Sequence, residues 1–211
     1  VRHPMSDDIT SLGALDLSAA IHARQVSCTE VMQAYLARID RLNPGINALI
    51  SLKSPETLLA DARQMDELAA RGQWLGWMHG MPQAIKDLSN ARGLPTTLGS
   101  PLMRHFMPHE DGLLAARHRA AGGIFIGKTN TPEFGLGSHT FNPVFGATRN
   151  PYDLSKTCGG SSGGRPTFIC PSMRTSSLPS SSSMRTITGA VGSSPRSGAP
   201  VSSPSSSASS S

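Results

Sequence analysis

Two places in this sequence hold residue types suited to nucleophilic chemistry, and they lie 75 residues apart. The first is Gly159-Gly160-Ser161-Ser162-Gly163-Gly164, in which four glycines bracket two hydroxyls. Glycine has no Cβ, so a loop rich in it tolerates unusual backbone angles and can bring a serine hydroxyl close to a ligand or to another part of the chain. The same string, taken alone, also suits a flexible linker. The second place is Lys86, within Gln83-Ala84-Ile85-Lys86-Asp87-Leu88. If its side chain faces inward, lost hydration disfavours the ammonium form and lowers the pKa towards that of a usable base. On the hexapeptide alone, a solvated edge lysine is the simpler reading, because lysine is rarely fully buried.

The elements that must hold these groups follow from local pattern. Gly80-Met81-Pro82 is a breaker cluster, and the alternation after it predicts a strand over 83–88. Successive strand side chains point to opposite faces, so Lys86 and Asp87 are not expected to pair. A compact helix over Asp111 to Ala121 leads through Gly122-Gly123 into the continuous apolar run Ile124-Phe125-Ile126-Gly127, a buried strand. Strand, helix, strand in that order predicts an α/β architecture. Lys128-Thr129-Asn130 is read as the opening of a polar loop. Gly137 to Asn142, polar and glycine-containing, is a candidate pocket wall, and Asn150-Pro151-Tyr152-Asp153 is turn chemistry leading into the glycine loop.

Upstream, Leu12 to Arg24 predicts a short helix. Ser27-Cys28-Thr29-Glu30 has the spacing of a capping box, so a second helix should start at Cys28 and stop at Pro44-Gly45. Ile46 to Leu52 reads as a strand. Ser54-Pro55-Glu56 places a cap, a first-turn proline and an acid for a third helix that Gly72 should terminate.

Charge divides the chain. Residues 1–164 hold 15 Lys+Arg and 14 Asp+Glu, a net charge of +1, while residues 165–211 add four arginines and no acid. The basic total is therefore no nucleic-acid footprint of the front part. Three cysteines without metal-ligand spacing predict neither a disulfide framework nor a metal site. There is no run of 18 apolar residues and no signal-peptide layout, so no membrane association and a cytoplasmic location are expected. Val1 precedes Met5-Ser6-Asp7-Asp8, which reads as a natural start.

Taken together, Gly80-Met81-Pro82 leading to Ile85-Lys86-Asp87, Gly127-Lys128-Thr129-Asn130, Glu133-Phe134, Asn150-Pro151 and Gly159 to Gly164 resemble the N-terminal part of the amidase signature family. The resemblance covers residues 1–164, the expected partial amidase domain, and implies the N-terminal portion of an α/β/α fold, truncated. It also implies amide C–N bond hydrolysis through a Ser, cis-Ser, Lys triad. Lys86 matches the family's catalytic lysine, and Ser161 matches its cis-serine. Neutral lysine would take a proton, through the bridging serine, from a nucleophilic serine that attacks the amide carbonyl. No cofactor is implied, and the expected partner is a small-molecule amide. Close relatives of the family transamidate glutamate on transfer RNA, which makes a protein like the corresponding glutamyl-tRNA amidotransferase subunit the alternative.

The family's nucleophile is expected about two dozen residues after the cis-serine, in a second glycine-rich loop. Here that region reads Ser183-Met184-Arg185-Thr186-Ile187-Thr188-Gly189, so the nucleophile is not identified and the chain is expected to be inactive. Of the 47 residues from Arg165, 18 are serine and six are proline, without apolar periodicity, so disorder is expected over 165–211. Ser, Pro, Arg, Gly and Ala without acid or lysine is the composition of a GC-rich gene read out of frame, and a frameshift near codon 165 is expected; a natural low-complexity tail is the alternative. A reading of another class makes the chain a non-catalytic binding module with a basic Ser/Arg tail. Four arginines without Tyr or Trp in that tail make a poor nucleic-acid site.

Overall fold

A computed structural model describes residues 9–161 and 163, and the expectations for the N-terminal start, for Ser162 and for residues 165–211 fall outside the described residues. The first helix, α1, spans Ala14–His22. The second, α2, spans Cys28–Ile46 and begins where the capping box predicts. Ser27 Oγ accepts from the Glu30 N–H at 3.1 Å while the Glu30 carboxylate accepts from the Ser27 N–H at 2.8 Å. Two otherwise unpaired donors are thereby satisfied.

The expected stop at Pro44-Gly45 is displaced: the helix carries Pro44 in its last turn and ends at Asn47, which is left-handed at φ 57 and ψ 45. Asn43 closes that end, its Oδ1 accepting from the Ala48 N–H at 3.0 Å and the Leu49 N–H at 2.9 Å. Because the helix consumes Ile46, and Ser51 turns to φ 48, the expected strand over 46–52 shrinks to β1, Leu49–Ile50. Helix α3, Pro55–Ala70, starts with Ser54 accepting from Thr57 N–H, and Gly72 follows its end at φ 72. Val31 and Met32 of α2, Leu58 and Ala62 of α3, and Ile124 and Ile126 of the sheet are buried in one cluster. Each large apolar side chain so placed contributes about 1.5–3 kcal/mol.

The sheet has three strands in the order β1, β3, β2, with β2 at Pro82–Lys86 and β3 at Ile124–Thr129. Strand β3 runs antiparallel to β1 and parallel to β2, and helix α4, Leu113–Ala120, makes the crossover between the parallel pair. This is the strand, helix, strand unit expected from the sequence. Helix α4 starts two residues later than expected, because the Asp111 carboxylate is held outside it by the Arg92 N–H at 2.7 Å and by Arg119.

Strand β3 also departs from expectation at its far end. It does not give way to a loop at Lys128 but continues through Thr129, buried at every position. Lys128 pairs with Ile50 on one side and Ile85 on the other, so both neighbours hold it in the ladder. Beyond β3 lie two small antiparallel hairpins. One joins β4, Phe141–Asn142, to β5, Gly146–Ala147; the other joins β6, Arg149–Asn150, to β7, Asp153–Thr157. The turn expected at 150–153 connects the second pair, with the Tyr152 N–H donating to Asn150 Oδ1 at 2.9 Å. Strand β7 delivers the chain into the glycine loop.

Candidate active site

Lys86 is the last residue of β2, and its Nζ donates to Ser161 Oγ at 2.8 Å. The two groups singled out from the sequence are thus in direct contact. The same line of approach lets a neutral amine accept the hydroxyl proton. Lys86 is half-buried, and desolvation holds its amine below the ordinary value of 10.5. It is not the fully solvated edge residue that its hexapeptide alone suggests.

Asp87 turns the other way, as strand alternation requires. It is 0% exposed, and its carboxylate accepts from Thr97 N–H at 3.0 Å and Thr97 Oγ1 at 2.5 Å. Burial raises its pKa despite those bonds.

The glycine loop is pinned rather than a free linker. The Gly160 N–H donates to the Ser138 carbonyl at 2.6 Å, and His139 bridges Gly159. The Gly163 N–H donates to Thr140 Oγ1 at 3.0 Å. A Cβ on Gly163 would lie 2.1 Å from Cys158 Sγ and 2.6 Å from Thr140 Oγ1, so only glycine fits there without displacement. The peptide bond between Gly160 and Ser161 is cis, the geometry the resemblance implies. Behind the loop, the Cys158 N–H donates to the Thr148 carbonyl and the Thr148 N–H to the Thr140 carbonyl, tying it to the strands on either side.

The segment read as a pocket wall does two things. Ser138, His139 and Thr140 hold the loop, while Gly137, Ser138, Phe141 and Asn142 line a cavity together with Phe134 and Leu136 from the stretch before it. Among the described residues no group of three or more His, Cys, Asp or Glu is placed to hold a metal ion. No described helix is long and apolar enough to cross a membrane.

Sequence reasoning missed Lys128. It is 0% exposed, and its ammonium donates to the Ser89 carbonyl at 2.5 Å and to Thr96 Oγ1 at 2.9 Å. Burial brings its pKa down to about 8, an effect opposed by the Asp87 charge. The available signal was the apolar run before it joined to β-branched Thr129 after it, which together suit one six-residue strand.

The family model for amidases matches residues 30–175. A glutamyl-tRNA(Gln) amidotransferase subunit from Acidothermus cellulolyticus is 43% identical over 157 residues, 74% of this chain and 31% of that protein. An acylamidase of Rhodococcus erythropolis is 38% identical over 151 residues, 72% of this chain and 31% of that protein. Among solved structures, a fatty acid amide hydrolase superposes with a TM-score of 0.73 at 27% identity, covering 78% of this chain and 29% of the other. The chain therefore spans about a third of the length of the relatives it matches. On the family match and the shared fold, this chain belongs to the amidase signature family.

Proposed function

We propose that this chain carries the proton-relay half of a serine amidase acting on small-molecule amides, with Lys86 as general base and Ser161 as the bridging hydroxyl. The single observation that carries the reading is the 2.8 Å contact between Lys86 Nζ and Ser161 Oγ. In the balanced step, a nucleophilic serine hydroxyl loses its proton to Ser161 as it attacks the amide carbonyl, and Ser161 passes its own proton to neutral Lys86. The C–N bond then breaks, the departing amine takes a proton back along the same path, and water hydrolyses the acyl ester.

The nucleophile is not Ser161, which the relay already employs, and no motif recognisable after Gly164 supplies it. We read residues 165–211 as the product of a shifted frame and the chain as written as inactive in the cytoplasm, where its relatives' chemistry would operate. The test is to sequence codons 160–170 and to assay a panel of aliphatic and aryl amides with the chain as given, the frame-restored protein, and its Lys86→Ala and Ser161→Ala variants. Hydrolysis by the restored protein, lost in both variants, is expected. A folded restored protein that hydrolyses no amide would end the assignment. Lys86-dependent turnover by the chain as given would instead end the inactive reading.

The 43% identity to an amidotransferase subunit favours a second reading, transfer of ammonia to an acyl group on transfer RNA within a multisubunit enzyme. Co-purification of the restored protein with partner subunits would select it. Retention of the chain as given on nucleic acid at physiological salt would select a binding module instead.

A further inference from the structure

The strongest unexplained feature among the described residues is a set of two buried side chains of opposite charge, Lys128 and Asp87, the second of them next in sequence to the candidate base. Lys128 and Asp87 are both 0% exposed, Lys128 within β3 and Asp87 one residue past the end of the adjacent β2. The Lys128 ammonium donates to the Ser89 carbonyl at 2.5 Å, and the Ser89 N–H donates to the Lys86 carbonyl at 2.9 Å. The turn that leaves β2 is thus tied at both ends, one tie being the carbonyl of Lys86 itself. Asp87 is fixed as firmly. Its N–H donates to the Thr129 carbonyl at 3.1 Å, its carbonyl accepts from the Leu98 N–H at 3.2 Å, and its side chain is bound by Thr97.

The charges follow the same plan. A buried carboxylate stands next in sequence to the candidate base, and such a charge would favour the ammonium form of a neighbouring amine and oppose its use as a base. Asp87 acts instead on Lys128, its counter-charge. Desolvation is the influence that acts on Lys86. Neither lone charge is tolerable at that depth, since an unpaired buried ion costs several kcal/mol.

We propose that Lys128 is a positioning residue: it anchors the turn carrying Lys86 through Ser89 and takes up the Asp87 carboxylate, so that Lys86 is presented to Ser161 as a neutral amine. The proposal rests on the reading of Lys86 as general base, but its test does not require turnover. In the full chain, Lys86 is titrated by its rate of arylation with 1-fluoro-2,4-dinitrobenzene, quantified on the Lys86 peptide by mass spectrometry across pH 6 to 11.

Lys128→Met leaves Asp87 without its counter-charge, and the Lys86 midpoint, extrapolated from labelling between pH 6 and 8 where Lys128 still carries its proton, should rise by about one pH unit, the size of one charge acting over about 10 Å through an effective dielectric of about 20. Lys86 labelling near neutral pH should then fall about tenfold. Lys128→Met with Asp87→Asn removes both charges and should return the midpoint to within a few tenths of the wild-type value. Asp87→Asn alone leaves an unneutralised ammonium and should lower it. These shifts would not accompany a purely structural role, which would change stability and leave the Lys86 titration in place. An unchanged midpoint in Lys128→Met overturns the proposal. If that variant does not fold, an unchanged or raised midpoint in Asp87→Asn overturns it. Shifts as expected in a restored protein that hydrolyses no amide would sink the proposed function and leave this pairing intact.

Discussion

Lys86 and Ser161 are held by unlike means, and the difference determines what each substitution should do. Lys86 sits on a strand whose ladder is continuous with the core, whereas Ser161 sits on a loop whose N–H groups donate single hydrogen bonds to Ser138 and Thr140. Because desolvation lowers the Lys86 pKa, amide hydrolysis by a frame-restored protein should rise with pH and level off with a midpoint below 10.5, as the neutral base accumulates. Lys86→Ala should remove that limb and about a hundredfold to ten-thousandfold of kcat, with KM little changed. A midpoint that survives in Lys86→Ala would assign the titration to another group. On the loop, Thr140→Val strips the acceptor from the Gly163 N–H and should cost about 1–3 kcal/mol in denaturant unfolding, with Thr140→Ser close to wild type. The meeting of Lys86 and Ser161 was legible before any fold was known, but only through the ordered set of motifs. Thr140 was not, because a threonine in a polar segment carries no mark of which backbone group it will meet.

At the scale of elements, what could be read in advance was what is locally determined. The capping box at Ser27 lies entirely within four residues, so the start of α2 at Cys28 follows from them alone. Ser27→Ala should cost about 1 kcal/mol, within the range for a lost N-cap, measured by thermal or denaturant unfolding. Asp66 reinforces the same helix start from α3, accepting from the Cys28 N–H at 2.7 Å and the Thr29 N–H at 3.0 Å. That contact spans 38 residues of sequence and had no local signature. The misplaced boundaries share this cause. Pro44 reads as a stop, yet a last-turn proline forfeits one bond while Asn43 supplies three at the helix end. Lys128 reads as loop because lysine is seldom buried, and only the partners brought by Asp87, Ser89 and Thr96 make its place in β3 tenable. Polar residues that the fold satisfies at long range are those a local reading sends to the surface.

For the whole molecule, buried groups that titrate within a narrow alkaline window set how global stability depends on pH. Lys128 ionises near 8 when folded, against 10.5 when exposed, so between those values the unfolded chain binds the extra proton and stability rises with pH. Cys28 acts oppositely. Burial, with Asp66 beside it, pushes its thiol from 9.0 up to about 12, so above 9.0 the folded chain keeps a proton that the unfolded chain loses, and stability falls. Burial raises Cys158 from the same 9.0 and Tyr35 from 10.0, which adds to the fall. The opposing slopes place a stability maximum near pH 9, about 1 kcal/mol above the value at pH 7 to 8, since one proton over one pH unit is worth about 1.4 kcal/mol. The check is the urea midpoint of the full chain followed from pH 7 to 11. Cys28→Ala should move the descending side to higher pH and leave the rise in place. Lys128→Met should flatten the rise and keep the fall. A midpoint that declines steadily from pH 7 would mean that Lys128 is not neutralised on the way to pH 9, and Lys128 and Asp87 would then both hold their charge throughout.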